Sequence, residues 1–509
     1  MSLPMTMTLL WACRPEAPPP APDGASAELE ALSIGAPLEP AFASDILAYA
    51  VPAAELGDPL PLDVVPEDPE AEITLSRLSV SDGAVLEAGL PYPPDEPLVL
   101  LAGERLELHV TASDGTTGLT YAVTALPDDY PPLRTERYGE TSPGQLLLGL
   151  LTPVSEGVFY GVALDDRGVP DWYRVDDAGM FDLRAGAGGH LSLVRWDHGL
   201  LLDPDTRAEV AEVHPPDLRG EIPLVVDVHE LFELEDGTLW ELGEYAVPED
   251  LTPVGGPADG RVLHHALQEV APDGTVRFAW STEGALEYVR VPFWMWDPEL
   301  EAWDYSHLNS ASLDPDDGNL VVSLRIVSQV LKIARHPTTV GGHTFAPGEV
   351  IWRLGAGAPM RFVGDDRLGA WQGFAGQHSV RPVPGGRLQV FDNALWRVRH
   401  GETLDEQEID IVATGRPRMV EYAIDEVAQT ATYLRSFETE ADPIRAGGSV
   451  QELDDGHLVS GWGDLSRGGE HPAVTELDAD GAVVREVWMA PDQWSYRAWL
   501  VPPAASDSR

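Results

Sequence analysis

Residues 303–325, WDYSHLNSASLDPDDGNLVVSLR, hold a loop, a tight turn and a strand in that order. His307 and Asn309 stand two apart in the extended lead-in, and residues i and i+2 of such a segment share a face. The turn DPDDGN at residues 314–319 is dense in turn-forming residues. Leu320 to Leu324 is a short apolar run that fits a buried strand, and Arg325 closes it. A neutral imidazole, a carboxamide and a guanidinium delivered together make a compact anion-binding wall. The acidic turn lacks the ligand spacing and closing Glu of an EF-hand loop, so turn chemistry accounts for its carboxylates.

The same strand–turn–strand unit recurs on both sides. LEDGTLWELGEY (234–245), LDPDDGNLVVSLR (313–325), VPGGRLQVFDN (383–393) and LDDGHLVSGWGD (453–464) carry the turn glycines Gly237, Gly318, Gly386 and Gly456, separated by 81, 68 and 70 residues. A second kind of hairpin lies between them, at 267–280, 331–355, 420–437 and 475–488. Two hairpins make a four-stranded sheet, so four such pairs predict four blades, and residues 149–218 leave room for two more. Repeated four-stranded sheets rich in tryptophan are the mark of a β-propeller. The chain is thus expected to be all-β, with a six-bladed β-propeller over residues 146–509.

The N-terminal part is different. Residues 27–127 alternate apolar and polar residues in short runs broken by Gly, Pro and Asp, the pattern of a β-sandwich. Leu38, Phe42, Tyr49 and Tyr121 are its candidate core residues. Residues 128–145 are polar and read as a linker. Residues 1–26 hold the chain's one cysteine, Cys13, after a short apolar stretch and before a Pro/Ala-rich tether. One cysteine allows no intramolecular disulfide.

Composition narrows the function classes. The chain has 509 residues and 85 acidic against 32 basic side chains, for a net charge of −53. Such a surface repels nucleic acid and anionic lipid, so no nucleic-acid partner is expected. No apolar run reaches the length of a membrane-spanning helix. The sequence holds no P-loop, no dinucleotide fingerprint, no G-x-S-x-G elbow and no HExxH zinc motif, and neither a cofactor nor a metal is expected.

The ordered set H-x-N-S with DP-x-DGN-x-x-x-S-x-R (307–325), DVHE (227–230), the glycine after IWRL (Gly355), QH (377–378), FDN (391–393) and YRA (496–498) resembles the bacterial aryl-sulfate sulfotransferases. The resemblance spans about residues 146–502. It implies a six-bladed propeller and transfer of a sulfuryl group from a phenolic sulfate to a phenol, independent of PAPS, through a sulfated histidine. By this resemblance His378 is the nucleophile, His229 binds sulfuryl oxygens or protonates the leaving group, His307 and Asn309 complete the oxygen-binding ring, Arg325 supplies fixed positive charge, and Arg497 is a substrate-binding candidate. The partners implied are an aryl sulfate donor and a phenol acceptor. Bland readings stand beside these: His229 paired with Glu230, Arg325 paired with Asp392, Arg497 closing the propeller, and His378 on an exposed loop. Trp294, Trp296, Trp303, Tyr305, Trp371 and Phe374 fit a phenyl-binding wall or blade core equally. The remaining histidines, His265 among them, are expected to be surface or structural. The first unit resembles the cadherin-like sandwiches of bacterial surface proteins. The context of Cys13 resembles a lipobox, which implies export, a periplasmic or envelope location, and membrane contact through a lipid on Cys13 alone. Two other functions remain open: a non-catalytic surface propeller for binding or adhesion, and an aryl-sulfate hydrolase on the same scaffold.

Overall fold

The structure, a computed structural model, describes residues 26–152, 157–288, 294–367, 371–401, 403–404, 408–439, 444, 446–464, 472–491 and 493–503. Cys13 lies outside them. Among the described residues the chain is all-β, with two short 3-10 turns and no helix long and apolar enough to cross a membrane. It divides into two compact units, residues 1–78 with 85–126, and residues 79–84 with 127–509.

The first unit carries a five-stranded sheet and a separate pair of strands, Leu29–Ser33 with Asp63–Pro66. In the larger sheet Ala48–Pro52 runs parallel to Gly118–Leu126. Tyr49 and Tyr121 are fully buried in its core, with Leu38 and Phe42 packed against them half-buried. Both tyrosines satisfy their hydroxyls on backbone: Tyr49 donates to Ile46 O at 2.6 Å and Tyr121 to Ser44 O at 2.8 Å. A buried tyrosine retains its phenol only with such a partner.

In the second unit the recurring turns do what their glycines require. Gly237, Gly318, Gly386 and Gly456 all have φ between +67° and +89°, a region that L side chains avoid. Each turn joins two strands of one antiparallel sheet, as Leu308–Leu313 pairs with Leu320–Leu324. Beyond it Gln329–Ile333 and Val350–Gly355 complete a four-stranded sheet, with Thr338–Val340 and His343–Phe345 as an inserted hairpin. Residues 145–213 form two further sheets. Arg134–Arg137, inside the stretch read as a linker, is a strand that pairs with Val483–Trp488.

The sheets follow one another through their leading strands. Phe181–Ala185 packs on Val225–Glu233, that strand on Leu308–Leu313, the next on His378–Val383, and this on Ser449–Glu452. Trp494–Val501 contacts both Ser449–Glu452 and Phe181–Ala185, so the series returns on itself. Trp494–Val501 also pairs with Gln145–Leu151, which places the last strand in the same sheet as a strand from the start of the unit.

Candidate functional site

The leading strands do not run regularly where they meet. Their pairing shifts between Phe181 and Arg184, Val226 and Leu231, Leu308 and Ser310, His378 and Arg381, and Ser495 and Ala498. Such bulges re-aim side chains and are common beside active sites. His307 and Ser379 add left-handed backbone, with φ of +53° and +44°, a strained conformation for residues other than glycine. His307 and Asn309 therefore do not follow the simple alternation expected of an extended lead-in.

The irregular segments bring the predicted histidines together. The rings of His229 and His307 stand edge to face, with centroids 4.8 Å apart. His378 feels the charges of Arg325, His229 and His307. His229 and His307 keep 12% and 13% of their side chains exposed, whereas His378 is only 1% exposed.

Each histidine is held through Nδ1. Asp227 Oδ1 accepts from the His229 backbone N–H at 2.7 Å and lies 2.6 Å from its Nδ1. Asp304 does the same for His307, with Oδ1 2.9 Å from the backbone nitrogen and Oδ2 2.8 Å from Nδ1. His378 Nδ1 lies 2.8 Å from Asn393 Oδ1, while the Gly447 N–H donates to His378 Nε2 at 3.3 Å. Asn393 Nδ2 donates to Gly447 O at 3.1 Å, which fixes the carboxamide so that its oxygen faces the imidazole. A donor at Nε2 and an acceptor at Nδ1 define the neutral tautomer with its lone pair on Nε2.

Electrostatics agree with that protonation state. Burial, and then the Arg325 guanidinium, hold His378 well below the usual imidazole range, against the pull of Asn393. Burial also lowers His307 to about 4, with His229 and Arg325 acting in the same direction and Asp304 opposing. Burial first, and then the charge of Arg397, lower Arg325 to about 9, so it remains a cation at neutral pH. Arg397, on the hairpin Leu395–His400 with Glu408–Ala413, is thus a second positive charge beside Arg325.

Asn309 is fully buried; its Nδ2 donates to Gln377 O at 2.8 Å, and its Oδ1 has no partner among the described residues. Gln377 fastens the segment ahead of His378 to the neighbouring sheet, donating to Ser323 Oγ and Gln329 O, both at 3.0 Å. Arg497 stands apart from the anion wall. It is buried against Asp182 at 2.8 Å and Glu230 at 3.3 Å, and donates to Asn309 O at 2.6 Å. Arg184 and Arg381 share Glu230. Burial alone would raise the Glu230 carboxyl, but Arg381, Arg497 and Arg184 bring it down to about 2. Glu230 is therefore a joint among leading strands and not the partner of His229. Asp392 is held by Arg418 at 3.0 Å and Arg367 at 3.6 Å, while Asp304 is a carboxylate whose charge acts on Arg325.

The aromatic residues divide. Trp294, Trp303 and Tyr305 are core with Leu251, Val262 and Leu404, and Phe374 is core with Trp352 and Tyr422. Trp296 is 48% exposed, and Trp371 is half-buried against Trp396 at 4.4 Å.

Several residues around the site gave no functional signal in isolation. Asp227 and Asp304 precede their histidines by two and three positions, a spacing that could have marked them. Asn393 sits in the FDN motif. His265, expected to be surface or structural, is fully buried, with its ring 6.1 Å from His307. The signal for it was a histidine doublet inside the apolar strand Gly260–Val270.

The sequence model of the family described as arylsulfotransferase (ASST) matches residues 205–490, more than half of the 509 residues; the chain belongs to this family. No curated protein matches the chain. Among solved structures, a putative 6-phosphogluconolactonase from Bacteroides uniformis is 11% identical over 71% of this chain and 100% of its own, with a TM-score of 0.34. The periplasmic gluconolactonase of Pseudomonas aeruginosa is 12% identical, again over 71% and 100%, with a TM-score of 0.34. At these scores the likeness carries no functional weight.

Proposed function

We propose that the chain transfers a sulfuryl group from an aryl sulfate to a phenol through a sulfo-histidine on His378. The observation that carries this reading is the hydrogen-bond pair on that ring, Asn393 Oδ1 at Nδ1 and the Gly447 N–H at Nε2, which keeps the imidazole neutral in the field of Arg325. Nε2 gives up the Gly447 N–H and attacks sulfur, an N–S bond forms, and the S–O bond to the aryl group breaks with its electron pair leaving on the phenolate. Arg325 and the Asn309 Nδ2 hold the sulfuryl oxygens as charge shifts among them, and His307 joins them as a donor when the bound anion draws a proton onto its Nε2. Asp227 fixes His229 through Nδ1, so Nε2 is the atom that passes a proton to the departing phenolate. In the second half the acceptor phenol gives that proton back to His229, its oxygen attacks sulfur, and the N–S bond breaks. Arg497 serves by holding the Asn309 backbone.

In this reading the six successive sheets of the second unit are the blades of a β-propeller, with the site where its leading strands meet. The first unit is a β-sandwich spacer. A lipid on Cys13 anchors the protein at the cell envelope, and mass spectrometry of the native chain that finds Cys13 unmodified rejects that part.

The experiment for the chemistry is a pre-steady-state burst of p-nitrophenolate from p-nitrophenyl sulfate, with 35S-labelled donor to trap the intermediate. The native chain is expected to give a burst and an acid-labile label on His378, and His378→Ala to give neither. Ping-pong transfer by His378→Ala, or label on another residue, rejects the assignment.

A further inference from the structure

We propose that Asp227, Glu244 and His265 form a binding site for one divalent transition-metal ion, zinc being the best match. It adjoins the reacting groups: Asp227 also holds His229, and the His265 ring is 6.1 Å from that of His307. His265 Nε2 is 3.1 Å from Glu244 Oε1 and 3.6 Å from Asp227 Oδ2. One ligand atom from each of the three residues lies within 4.8 Å of the other two. Zinc bonds of 2.0–2.2 Å in tetrahedral geometry set neighbouring ligand atoms about 3.4 Å apart. The separations of 3.1 and 3.6 Å straddle that value.

Two independent details point to a ligand at this spot. Asp227 Oδ2 is buried without a hydrogen-bond partner, and His265 Nε2, equally buried, makes no aligned hydrogen bond although Glu244 Oε1 stands 3.1 Å away, in residues only 3% and 0% exposed. Buried polar atoms are seldom left in that state. The other ring nitrogen supplies the second detail. His265 Nδ1 meets Ser306 Oγ at 3.5 Å, the outer hydrogen bond that usually fixes a metal-binding imidazole. With Nδ1 facing Ser306, Nε2 meets two carboxylates with which it shares a proton when no metal is bound, and a cation binds there by displacing that proton. The Glu244 side chain is 17% exposed, which gives the ion a way in and leaves the fourth position to water.

The comparison with the other acidic group of the protein is informative. Asp314, Asp317 and Glu426 also converge, but Lys332 Nζ already sits among them at 2.8, 2.8 and 2.7 Å. No lysine or arginine is paired with Asp227 or Glu244 among the described ion pairs. A metal there would act by position: Asp227 would bind it through Oδ2 while Oδ1 continues to hold His229.

The test is metal content of the purified full-length chain, with Glu244→Gln and His265→Asn as variants. Elemental analysis is expected to find about one zinc per native chain, or stripped protein to take up about one when titrated with Zn2+. Each variant should lose about 100-fold or more in zinc affinity while its circular dichroism is unchanged. X-ray absorption on the loaded native chain should show a shell of nitrogen and oxygen at about 2.0–2.2 Å, a readout that stands even if a variant fails to fold. Native chain that takes up no zinc overturns the proposal. So does zinc bound with equal stoichiometry and affinity by both variants, which would place it on the acidic surface. None of these measurements involves a sulfate donor, so the zinc result and the sulfuryl-transfer result can fail separately.

Discussion

Replacing Asn393 tests whether the state of the His378 ring controls the reaction. Asn393 Oδ1 is the acceptor at 2.8 Å for Nδ1–H, in a site where His378 is 1% and Asn393 0% exposed. Asn393→Leu keeps the volume, orphans that N–H and frees the ring to change tautomer. An unsatisfied buried donor costs about 1–3 kcal/mol, so the burst rate should fall by roughly 5- to 150-fold at 25 °C. Asn393→Asp acts in the opposite sense. A carboxylate in contact with Nδ1–H favours the imidazolium and raises its pKa by about 1–3 units. Attack needs the neutral ring, so the acid limb of the burst rate should move to higher pH by that amount. Stopped-flow release of p-nitrophenolate between pH 4 and 9 reads both effects. A native burst rate in Asn393→Leu, together with an unmoved acid limb in Asn393→Asp, would refute the role assigned to the hydrogen bond.

Three other substitutions probe separate parts of the molecule. Arg325→Ala should reduce the burst rate by about 100-fold or more, the scale of losing one transition-state donor, with the circular dichroism unchanged; an undiminished rate would remove Arg325 from the chemistry. Glu241 is 4% exposed, with Oε2 unpartnered, and burial raises its carboxyl from 4.5 to about 8. The folded state therefore keeps this proton where the unfolded chain has lost it, so the associated stability is full below about pH 4.5 and is lost as pH rises through about 8; melting curves should fall less steeply over that window for Glu241→Gln, and identical slopes would contradict the burial argument. Lys332→Met strands the three carboxylates around Nζ and should cost about 3–5 kcal/mol, with millimolar calcium restoring part of the lost Tm; no loss of Tm would show that the cluster contributes nothing.

Much of the strand pattern is written in local turn chemistry. The turns at Gly237, Gly318, Gly386 and Gly456 are legible because each needs positive φ and is flanked by apolar runs. The ordered motifs also delivered the residues that converge: His229, His307, Asn309, Arg325 and His378. What could not be read is how they are aimed. Strand alternation assigns a side chain to one of two faces, and that rule fails at a bulge, where an added residue turns the chain. His307 with its positive φ is such a case, and so is Tyr496 between the shifted pairs Ser495 and Ala498. Partner choice is equally hidden. Glu230 is adjacent to His229 yet pairs with Arg184, Arg381 and Arg497, which are distant in sequence, so the bland reading of a His229–Glu230 pair does not hold. His265 was missed because a histidine in an apolar strand has the same appearance whether it is merely satisfied or joined to an ionic cluster. The motif that suggests Arg497 for the substrate is silent on Asp182 and Glu230, the carboxylates its charge answers.

The pairing of Trp494–Val501 with Gln145–Leu151 sets an order in time. The ribosome delivers the first partner long before the second, and pairings between such distant segments are slow and entropically costly. Until Tyr496 and Arg497 arrive, Glu230 lacks one of its three arginines and the Asn309 carbonyl lacks its donor. The nascent second unit is therefore incomplete for nearly the whole of its synthesis, with an open sheet edge along Gln145–Leu151 that invites pairing with other chains. The site assembles only when Trp494–Val501 docks on that edge.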